Sequence, residues 1–326
     1  MAQYNDILTA IEKAIEDFNK NIPRAQREMY AGIEDELRRL DLSGNKIKAT
    51  VKNLKIIAAI KNKMLKLILT PEYKKSVKEF ATAFNEITTL QNDYWRGIES
   101  TFKPRPLIRE IRKAAISDTV KALTESGIGA NISDQITNIL RTNITSGGSL
   151  KQLTGQLRES LLTNKTDGLL AKYARTITTD SINTYSAQVT DTVSSDLGFT
   201  FFAWQGTEIK TSRPFCQAMV ENHRYFHISG IPNLLKGLDE NGVKLRYQDN
   251  FTKSEQSVEL YAKTGLPSGF KEGTNVANFR ILRGGWSCAH QPRPVPERNV
   301  KSQEPELYKS IINSAPYKAW IRANGK

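Results

Sequence analysis

All the cysteine and histidine residues of this 326-residue chain lie in one window toward its C-terminal end. They are Cys216, His223, His227, Cys288 and His290. Thiolate and imidazole groups are favoured zinc ligands, and four of them complete a tetrahedral structural site. One interpretation of the window is therefore a zinc site formed by Cys216, Cys288 and His290 together with His223, or with His227 in place of His223.

Three other interpretations of the same residues remain open. Cys216 and Cys288 would form a disulfide if the mature protein met an oxidising environment. A cysteine–histidine pair, or two histidines acting with Arg213 on a phosphodiester, would supply catalytic chemistry, although the window shows no clear general acid and base. Two buried cysteines with surface histidines would have no special chemistry.

Turn-forming residues precede both cysteines, with Arg-Pro before Cys216 and Gly-Gly before Cys288. Such residues indicate tight turns that fix the direction of the neighbouring side chains. A shared site requires the two segments to meet although about 70 residues separate them in the chain. The sequence therefore predicts that Arg213–Cys216 and Gly284–His290 are neighbours in space.

The elements that must position this window change character along the chain. Residues 1–197 show apolar residues at steps of three and four, as in Ile7, Ile11 and Ile15, which is typical of amphipathic helices. The aromatic run Phe199–Trp204 instead indicates a strand. We predict an α+β fold in which a long, mostly α-helical N-terminal region precedes a small mixed α+β domain. The predicted segments are an N-terminal helical region (1–103), a second helical region (107–197), the small domain with the Cys/His window (198–300) and C-terminal helices (301–326).

Local patterns predict several elements. Thr70 followed by Pro71 predicts the start of a helix. Further helices are expected at 107–126, 132–145, 150–161, 305–313 and 316–323. The proline-rich segment 292–296 is expected to be polyproline II-like or an edge strand. An apolar stripe is expected to be buried in the helix that precedes Thr70. Its residues are Ile47, Val51, Leu54, Ile57, Ala58, Met64, Leu65 and Ile68. Thr252, with Glu255 three residues later, predicts a helix from Lys253, and the residues Phe279–Leu282 weakly predict a strand.

The formal net charge is +13, which favours nucleic acid, an acidic protein or solubility alone. Lysines are concentrated in one stretch without an acidic residue. They are Lys46, Lys48, Lys52, Lys55, Lys61, Lys63 and Lys66. This surface is interpreted as a solvated helix face or a protein contact, with phosphate contact as the alternative. No apolar stretch approaches the length of a membrane span and no signal peptide is visible, so synthesis and folding in a reducing cytoplasm are expected.

Four short motifs resemble the C-terminal domain of phage head morphogenesis proteins, the minor capsid group that includes the Mu F-like family. In chain order they are Ala174–Thr178 (Ala-Arg-Thr-Ile-Thr), Phe201–Trp204 (Phe-Phe-Ala-Trp), Thr211–Cys216 (Thr-Ser-Arg-Pro-Phe-Cys) and Gly284–His290 (Gly-Gly-Trp-Ser-Cys-Ala-His). The resemblance covers residues 150–296. The chain differs from many members in having Lys210 and Thr211, and no acidic residue, before the Arg-Pro turn.

This resemblance implies a virion protein that resides inside the head or at the portal after assembly in the bacterial cytoplasm. The implied partners are the portal protein, capsid or scaffolding proteins and packaged DNA, and the implied roles are head assembly, DNA packaging or ejection. We expect a structural protein that is not an enzyme. The alternatives are a nuclease-like or toxin-like enzyme domain at 198–300 carried in the virion, and a non-catalytic DNA-binding protein.

Overall fold

The chain folds as the predicted α+β protein, and its structure is 66% helical. The computed structural model describes residues 3–162, 168–206, 212–249, 251–282, 285, 288 and 290–325. Two compact units make up the chain, an N-terminal unit (Met1–Ile182) and a C-terminal unit (Asn183–Lys326). No helix in the described ranges has the length and apolarity needed to cross a membrane.

The N-terminal unit consists of helices joined by short connections, with a small hairpin formed by β1 (Leu42–Ser43) and β2 (Lys46–Ile47). Its helices are α1 (Tyr4–Asn19), α2 (Ile22–Leu37), α3 (Val51–Ile68), α4 (Pro71–Ile98), α5 (Pro106–Thr124), α6 (Ser126–Ile128), a π-helical turn (Gly129–Ser133), α7 (Asp134–Thr145), α8 (Leu150–Leu162) and the first half of α9 (Leu169–Asp196). The predicted helices at 107–126, 132–145 and 150–161 are confirmed close to their expected bounds.

Helix α4 begins where the sequence predicts. The Tyr73 backbone N–H donates a 3.2 Å hydrogen bond to the Thr70 hydroxyl, and Pro71 occupies the first turn. Proline is tolerated there because the N–H groups of a first turn have no partner within the helix. Further along α4, the ring of Phe80 lies 5.5 Å from the ring of Phe18 on α1. This aromatic contact packs α1 against α4.

The apolar stripe predicted for α3 is wrong in its first turn. Val51 is 69% exposed and Leu54 is 43% exposed, whereas Ile57, Met64 and Ile68 are buried as predicted. The buried face also runs through Ile56, Ile60 and Ile68. These three residues follow one another at steps of four and eight, so they share one face of the helix. The apolar residues of the first turn lie off that face.

A polar residue, Asn53, takes the buried position in the first turn of α3. Its side chain is fully buried and accepts a 2.9 Å hydrogen bond from the Asp41 backbone N–H. The same amide donates to the carbonyl groups of Asp41 at 3.0 Å and Lys48 at 2.7 Å. Because Asp41 and Lys48 flank the β1–β2 hairpin, Asn53 fixes that hairpin to the start of α3.

The C-terminal unit combines the second half of α9 with short strands and helices. In chain order these are β3 (Phe201–Gln205), α10 (Pro214–Glu221), β4 (Tyr225–His227), a 3-10 turn (Ile228–Gly230), α11 (Ile231–Leu234), β5 (Arg246–Gln248), β6 (Glu255–Ser257), α12 (Phe279–Leu282), β7 (Gln291–Val295), α13 (Glu297–Gln303), α14 (Pro305–Asn313) and α15 (Ala315–Ala323). The aromatic strand and the two predicted terminal helices are confirmed.

Strand β3 is the centre of a three-stranded antiparallel sheet in the order β4–β3–β7. Its side chains alternate between two cores, as the pleat of a strand requires. Phe202 and Trp204 pack into the core that contains both cysteines. Phe201 and Ala203 pack on the opposite face, with residues of the C-terminal helices. Burial on both faces explains why the strand is aromatic and apolar throughout.

Strand β7 is an edge strand, in agreement with the proline-rich pattern. Pro292 pairs with Trp204 and Pro294 pairs with Phe202. Proline has no N–H to donate, so both prolines must occupy positions at which the N–H would point away from β3. Their spacing of two satisfies this condition because N–H directions alternate along a strand.

The predicted helix beginning at Lys253 is wrong, because residues Glu255–Ser257 form β6 and pair with β5. The Asp249 carboxylate accepts hydrogen bonds from the backbone N–H groups of Phe251 (2.8 Å) and Thr252 (2.6 Å), which closes a turn. Lys253 then adopts a left-handed conformation with φ of 56°. The side chains that resemble a helix cap therefore belong to a hairpin.

The predicted strand at Phe279–Leu282 is also wrong, because these residues form the short helix α12. The Asn278 side chain accepts a 2.7 Å hydrogen bond from the Asn275 backbone N–H, and its carbonyl group accepts from the Leu282 N–H at 2.8 Å. Phe279 is fully buried in the aromatic core. Local hydrogen bonding at Asn278 outweighs the weak strand pattern.

Candidate metal centre

Three of the predicted site residues converge in the C-terminal unit. The sulfur atoms of Cys216 and Cys288 lie 3.6 Å apart, and the Cys288 sulfur lies 3.9 Å from Nδ1 of His290. Their ligand atoms all lie within 4.8 Å of one another. The predicted proximity of the two Cys/His segments is therefore confirmed for these residues. Gly284, Trp286, Ser287 and Ala289 of the second segment lie outside the described residues.

Cys216 reaches the cluster from the first turn of α10. Arg213 is extended (φ −71°, ψ 150°), and Pro214 starts the helix. Proline at this position is preorganised for a helix start. Cys216 then falls on the buried side of α10 with Phe215 and Met219. The Arg-Pro turn thus directs the thiol inward.

His290 is positioned by the register between β3 and β7. Gln205 and Gln291 are the last pair of that ladder, which places the following Gly206 beside the preceding His290. A Cβ atom on Gly206 would lie 2.6 Å from Cδ2 of the His290 ring. Only a glycine allows the backbone to approach the imidazole this closely. Sequence reasoning missed Gly206, although a glycine directly after an aromatic strand is a usable signal of close approach.

The loop that carries Cys288 approaches the loop at Gly269 closely. Gly285 has a φ of +99°, and a Cβ atom there would lie 1.8 Å from the carbonyl oxygen of Gly269. The Cys288 backbone N–H donates to the Gly285 carbonyl group at 3.3 Å, and the Gly285 N–H donates to the Leu282 carbonyl group at 3.1 Å. These two hydrogen bonds connect Cys288, through Gly285, to the end of α12.

Helix α12 is itself anchored to α9 within the C-terminal unit. The Arg280 guanidinium lies 2.7 Å from the Asp191 carboxylate and stacks 4.7 Å above the Phe202 ring. Burial raises the pKa of Asp191, and the neighbouring arginine opposes that rise. This half-buried ion pair holds the segment that leads to Cys288.

The cluster lies in an aromatic core. Phe215 makes edge-to-face contacts with Trp204 at 5.4 Å and Phe270 at 4.9 Å between ring centroids. Cys216 is 1% exposed, Cys288 is 4% exposed and His290 is 5% exposed. A nucleophilic cysteine must meet its substrate, so burial at this level disfavours the catalytic interpretation and suits structural chemistry.

The structure does not bring His223 or His227 to the cluster. His223 follows the end of α10, and its Nδ1 lies 4.0 Å from the Glu240 carboxylate, with Asp239 nearby. His227 is the last residue of β4 on the same side as Tyr225, opposite the core that holds the cysteines. The alternation of β4 thus points His227 to the wrong face of the sheet. The predicted set of four ligands is corrected to three.

His227 instead packs against the C-terminal helices. Its Nδ1 accepts a 3.1 Å hydrogen bond from the Ser229 backbone N–H. The rings of Tyr317 and Trp320 both lie 4.8 Å from the imidazole. His223, His227 and Glu240 line a cavity of about 10 Å³, which holds about one water molecule and no nucleotide.

The lysine-rich surface is formed by β2 and α3, and all seven of its lysines are exposed. Three of them form ion pairs: Lys52 with Asp41 at 2.6 Å, Lys61 with Asp134 at 3.0 Å, and Lys63 with Glu36. The other four form no ion pair with any described residue. They are Lys46, Lys48, Lys55 and Lys66.

Comparison with known proteins gives no match to any family model, curated protein or solved structure. The functional interpretation therefore depends on the residues and their geometry.

Proposed function

We propose that this chain is a structural protein of a phage head, of the minor capsid and head morphogenesis type. In this proposal it acts in head assembly by binding the portal protein and capsid or scaffolding proteins, and it takes part in DNA packaging or ejection. Its location is inside the head or at the portal. The proposal is based on the four motifs that, in their order along the chain, resemble that group.

The observation that carries the proposal is the convergence of three of these motifs in one packed unit. The aromatic strand, the Arg-Pro-Phe-Cys turn and the Cys-x-His segment meet so closely that Cys216 and Cys288 are in contact at 3.6 Å. Motifs that belong to a single domain are expected to share a core, whereas chance matches have no reason to do so. The resemblance thus agrees with the three-dimensional arrangement.

The geometry of the described residues disfavours the rival enzyme at 198–300. The two cysteines and His290 are buried, and the cavity beside His223 and His227 is too small for a nucleotide. A nuclease needs an acid–base set that its substrate can reach. A structural and binding role needs no such access.

Mass spectrometry of purified phage particles tests the proposal directly. We expect the chain in mature heads at low copy number, and we expect the purified protein to co-sediment with portal rings of the same phage. Absence from particles together with absence of portal binding would overturn the proposal.

Nuclease assays with and without divalent metal distinguish the structural protein from the alternative, a nuclease-like domain at 198–300. We expect no cleavage of DNA or RNA above background. Cleavage that His223→Ala or His290→Ala abolishes, with the far-UV circular dichroism unchanged, would instead establish the enzyme.

A further inference from the structure

The sulfur and nitrogen atoms of the buried cluster are spaced as the ligands of a tetrahedral zinc ion. Two thiolates bound at about 2.3 Å lie about 3.8 Å apart around a tetrahedral metal, and a thiolate and an imidazole nitrogen lie about 3.6 Å apart. The observed separations are 3.6 Å between Cys216 and Cys288 and 3.9 Å between Cys288 and Nδ1 of His290. The third pair, the Cys216 sulfur and the His290 ligand nitrogen, lies within 4.8 Å, against about 3.6 Å expected around the ion.

The His290 imidazole provides a second, independent observation. It is 5% exposed, and its Nε2 has no hydrogen-bond partner among the described residues. The contact of Nδ1 with the Cys288 sulfur, at 3.9 Å, is long for a hydrogen bond. A buried imidazole that makes such weak use of its nitrogens costs free energy. A metal bond at Nδ1 would replace the long contact with the sulfur and offset part of that cost.

Charge balance favours the same conclusion. Two thiolates and a neutral imidazole carry a charge of −2, which one Zn²⁺ neutralises. The core around the cluster is aromatic and would strongly oppose an uncompensated charge. Thiolate and imidazole are also ligands that select zinc over magnesium or calcium.

We propose that Cys216, Cys288 and His290 bind one Zn²⁺ ion, which joins the first turn of α10 to the segment before β7. Three protein ligands leave the fourth position of a tetrahedral ion to a water molecule. We assign the ion a structural role because its three ligands are buried and because it links positions 72 residues apart in the chain. Each cysteine loses its thiol proton to solvent as it binds. This proposal is independent of the proposed phage function, because metal binding is measured on the isolated chain.

Metal content of the tag-free, full-length protein tests the site. The protein is purified under reducing conditions with zinc in the growth medium, and zinc is measured by plasma mass spectrometry. We expect one zinc per chain in the wild type. We expect zinc to be lost in Cys216→Ser and Cys288→Ser and strongly reduced in His290→Gln. The matched control His223→Gln, at the histidine outside the cluster, should keep its zinc.

Substitution of Co²⁺ for zinc provides a readout that does not depend on stability. Tetrahedral cobalt with two thiolates should give sulfur-to-metal charge-transfer absorption, and Cys288→Ser should weaken it. Addition of a chelator should lower the Tm of the wild type but not the Tm of Cys288→Ser. The proposal would be overturned if Cys288→Ser kept its zinc or if His223→Gln lost it. It would also be overturned if the folded wild type contained free thiols, a Cys216–Cys288 disulfide or another metal.

Discussion

Gly285 has little conformational freedom in the loop that carries Cys288. Its φ of +99° is strained for any side chain, and a Cβ atom would lie 1.8 Å from the Gly269 carbonyl oxygen. We expect Gly285→Ala to lower the free energy of unfolding by about 3 kcal/mol or more, because strain and overlap both add to the cost. Urea denaturation followed by tryptophan fluorescence measures this change.

Gly273 is a matched control for this substitution. Its φ of +85° resembles that of Gly285, but no heavy atom lies within 4 Å of the position that a Cβ would take. Gly273→Ala should therefore cost only about 1 kcal/mol, from backbone strain alone. Equal losses in the two variants would show that the contact between the two loops does not constrain the fold.

The Glu36 carboxylate gives the N-terminal unit an acid-sensitive contact. Hydrogen bonds from Lys63 and then Arg39 hold its pKa below the ordinary value. A carboxyl group whose pKa is lower in the folded state stabilises the fold above its unfolded pKa, and this stabilisation is lost as pH falls through the folded pKa. We expect Glu36→Gln to lower the Tm at pH 7 and to lower it progressively less as the pH falls toward 3.

Glu12 supplies the comparison, because it is exposed and forms no ion pair with the described residues. Glu12→Gln should leave the dependence of Tm on pH close to that of the wild type. If Glu36→Gln lowered the Tm equally at both pH values, its effect would come from packing and not from charge.

Among the elements, the β1–β2 hairpin and α3 depend on one side chain. Asn53 makes three hydrogen bonds to the backbone on either side of the hairpin and is fully buried. Asn53→Ala should lower the free energy of unfolding by about 2–3 kcal/mol, because buried backbone groups lose their partners. Asn62→Ala, at an exposed position of the same helix, should change it by less than about 0.5 kcal/mol. Similar values for both variants would contradict the role of Asn53.

The elements that the sequence predicts well are those with strong local signals. Thr70 with Pro71 marks the start of α4, and the continuous aromatic run marks β3, because both depend on residues close in the chain. The turn at Asp249 is harder to predict, since its carboxylate accepts the Thr252 N–H in a segment where Thr252 itself resembles a helix cap. The prediction of burial for the first turn of α3 is wrong because a polar residue, Asn53, occupies the buried position.

The candidate site, too, is predicted from the sequence only in part. Shared chemistry and turn-forming flanks predict that Cys216 and Cys288 meet. The choice of histidine depends on the sheet, because alternation in β4 directs His227 to the face opposite the cysteines. The alternation of side chains along a strand, applied to Tyr225–His227, would have excluded His227 as a ligand of the cysteine cluster. The close approach of Gly206 to His290 depends on the β3–β7 register, which local patterns do not define.

For the whole molecule, the net charge of +13 raises the question of contact with DNA. Three of the seven lysines on the surface formed by β2 and α3 are paired with carboxylates, which leaves four for phosphates. Each phosphate contact adds about 0.9 to the slope of log affinity against log salt. We expect weak duplex DNA binding at low salt with a slope no steeper than about −4, measured by fluorescence anisotropy across a salt series.

Matched variants locate that contact. Replacing Lys46, Lys48, Lys55 and Lys66 with Gln should weaken binding at least tenfold and flatten the salt dependence. The same change of charge at four exposed lysines elsewhere in the N-terminal unit, Lys13, Lys74, Lys78 and Lys151, should have a smaller effect, because only long-range attraction is reduced. A steeper slope, or equal weakening by both sets, would place the phosphate contact on another surface and leave the α3 lysines as a solvated face or a protein contact.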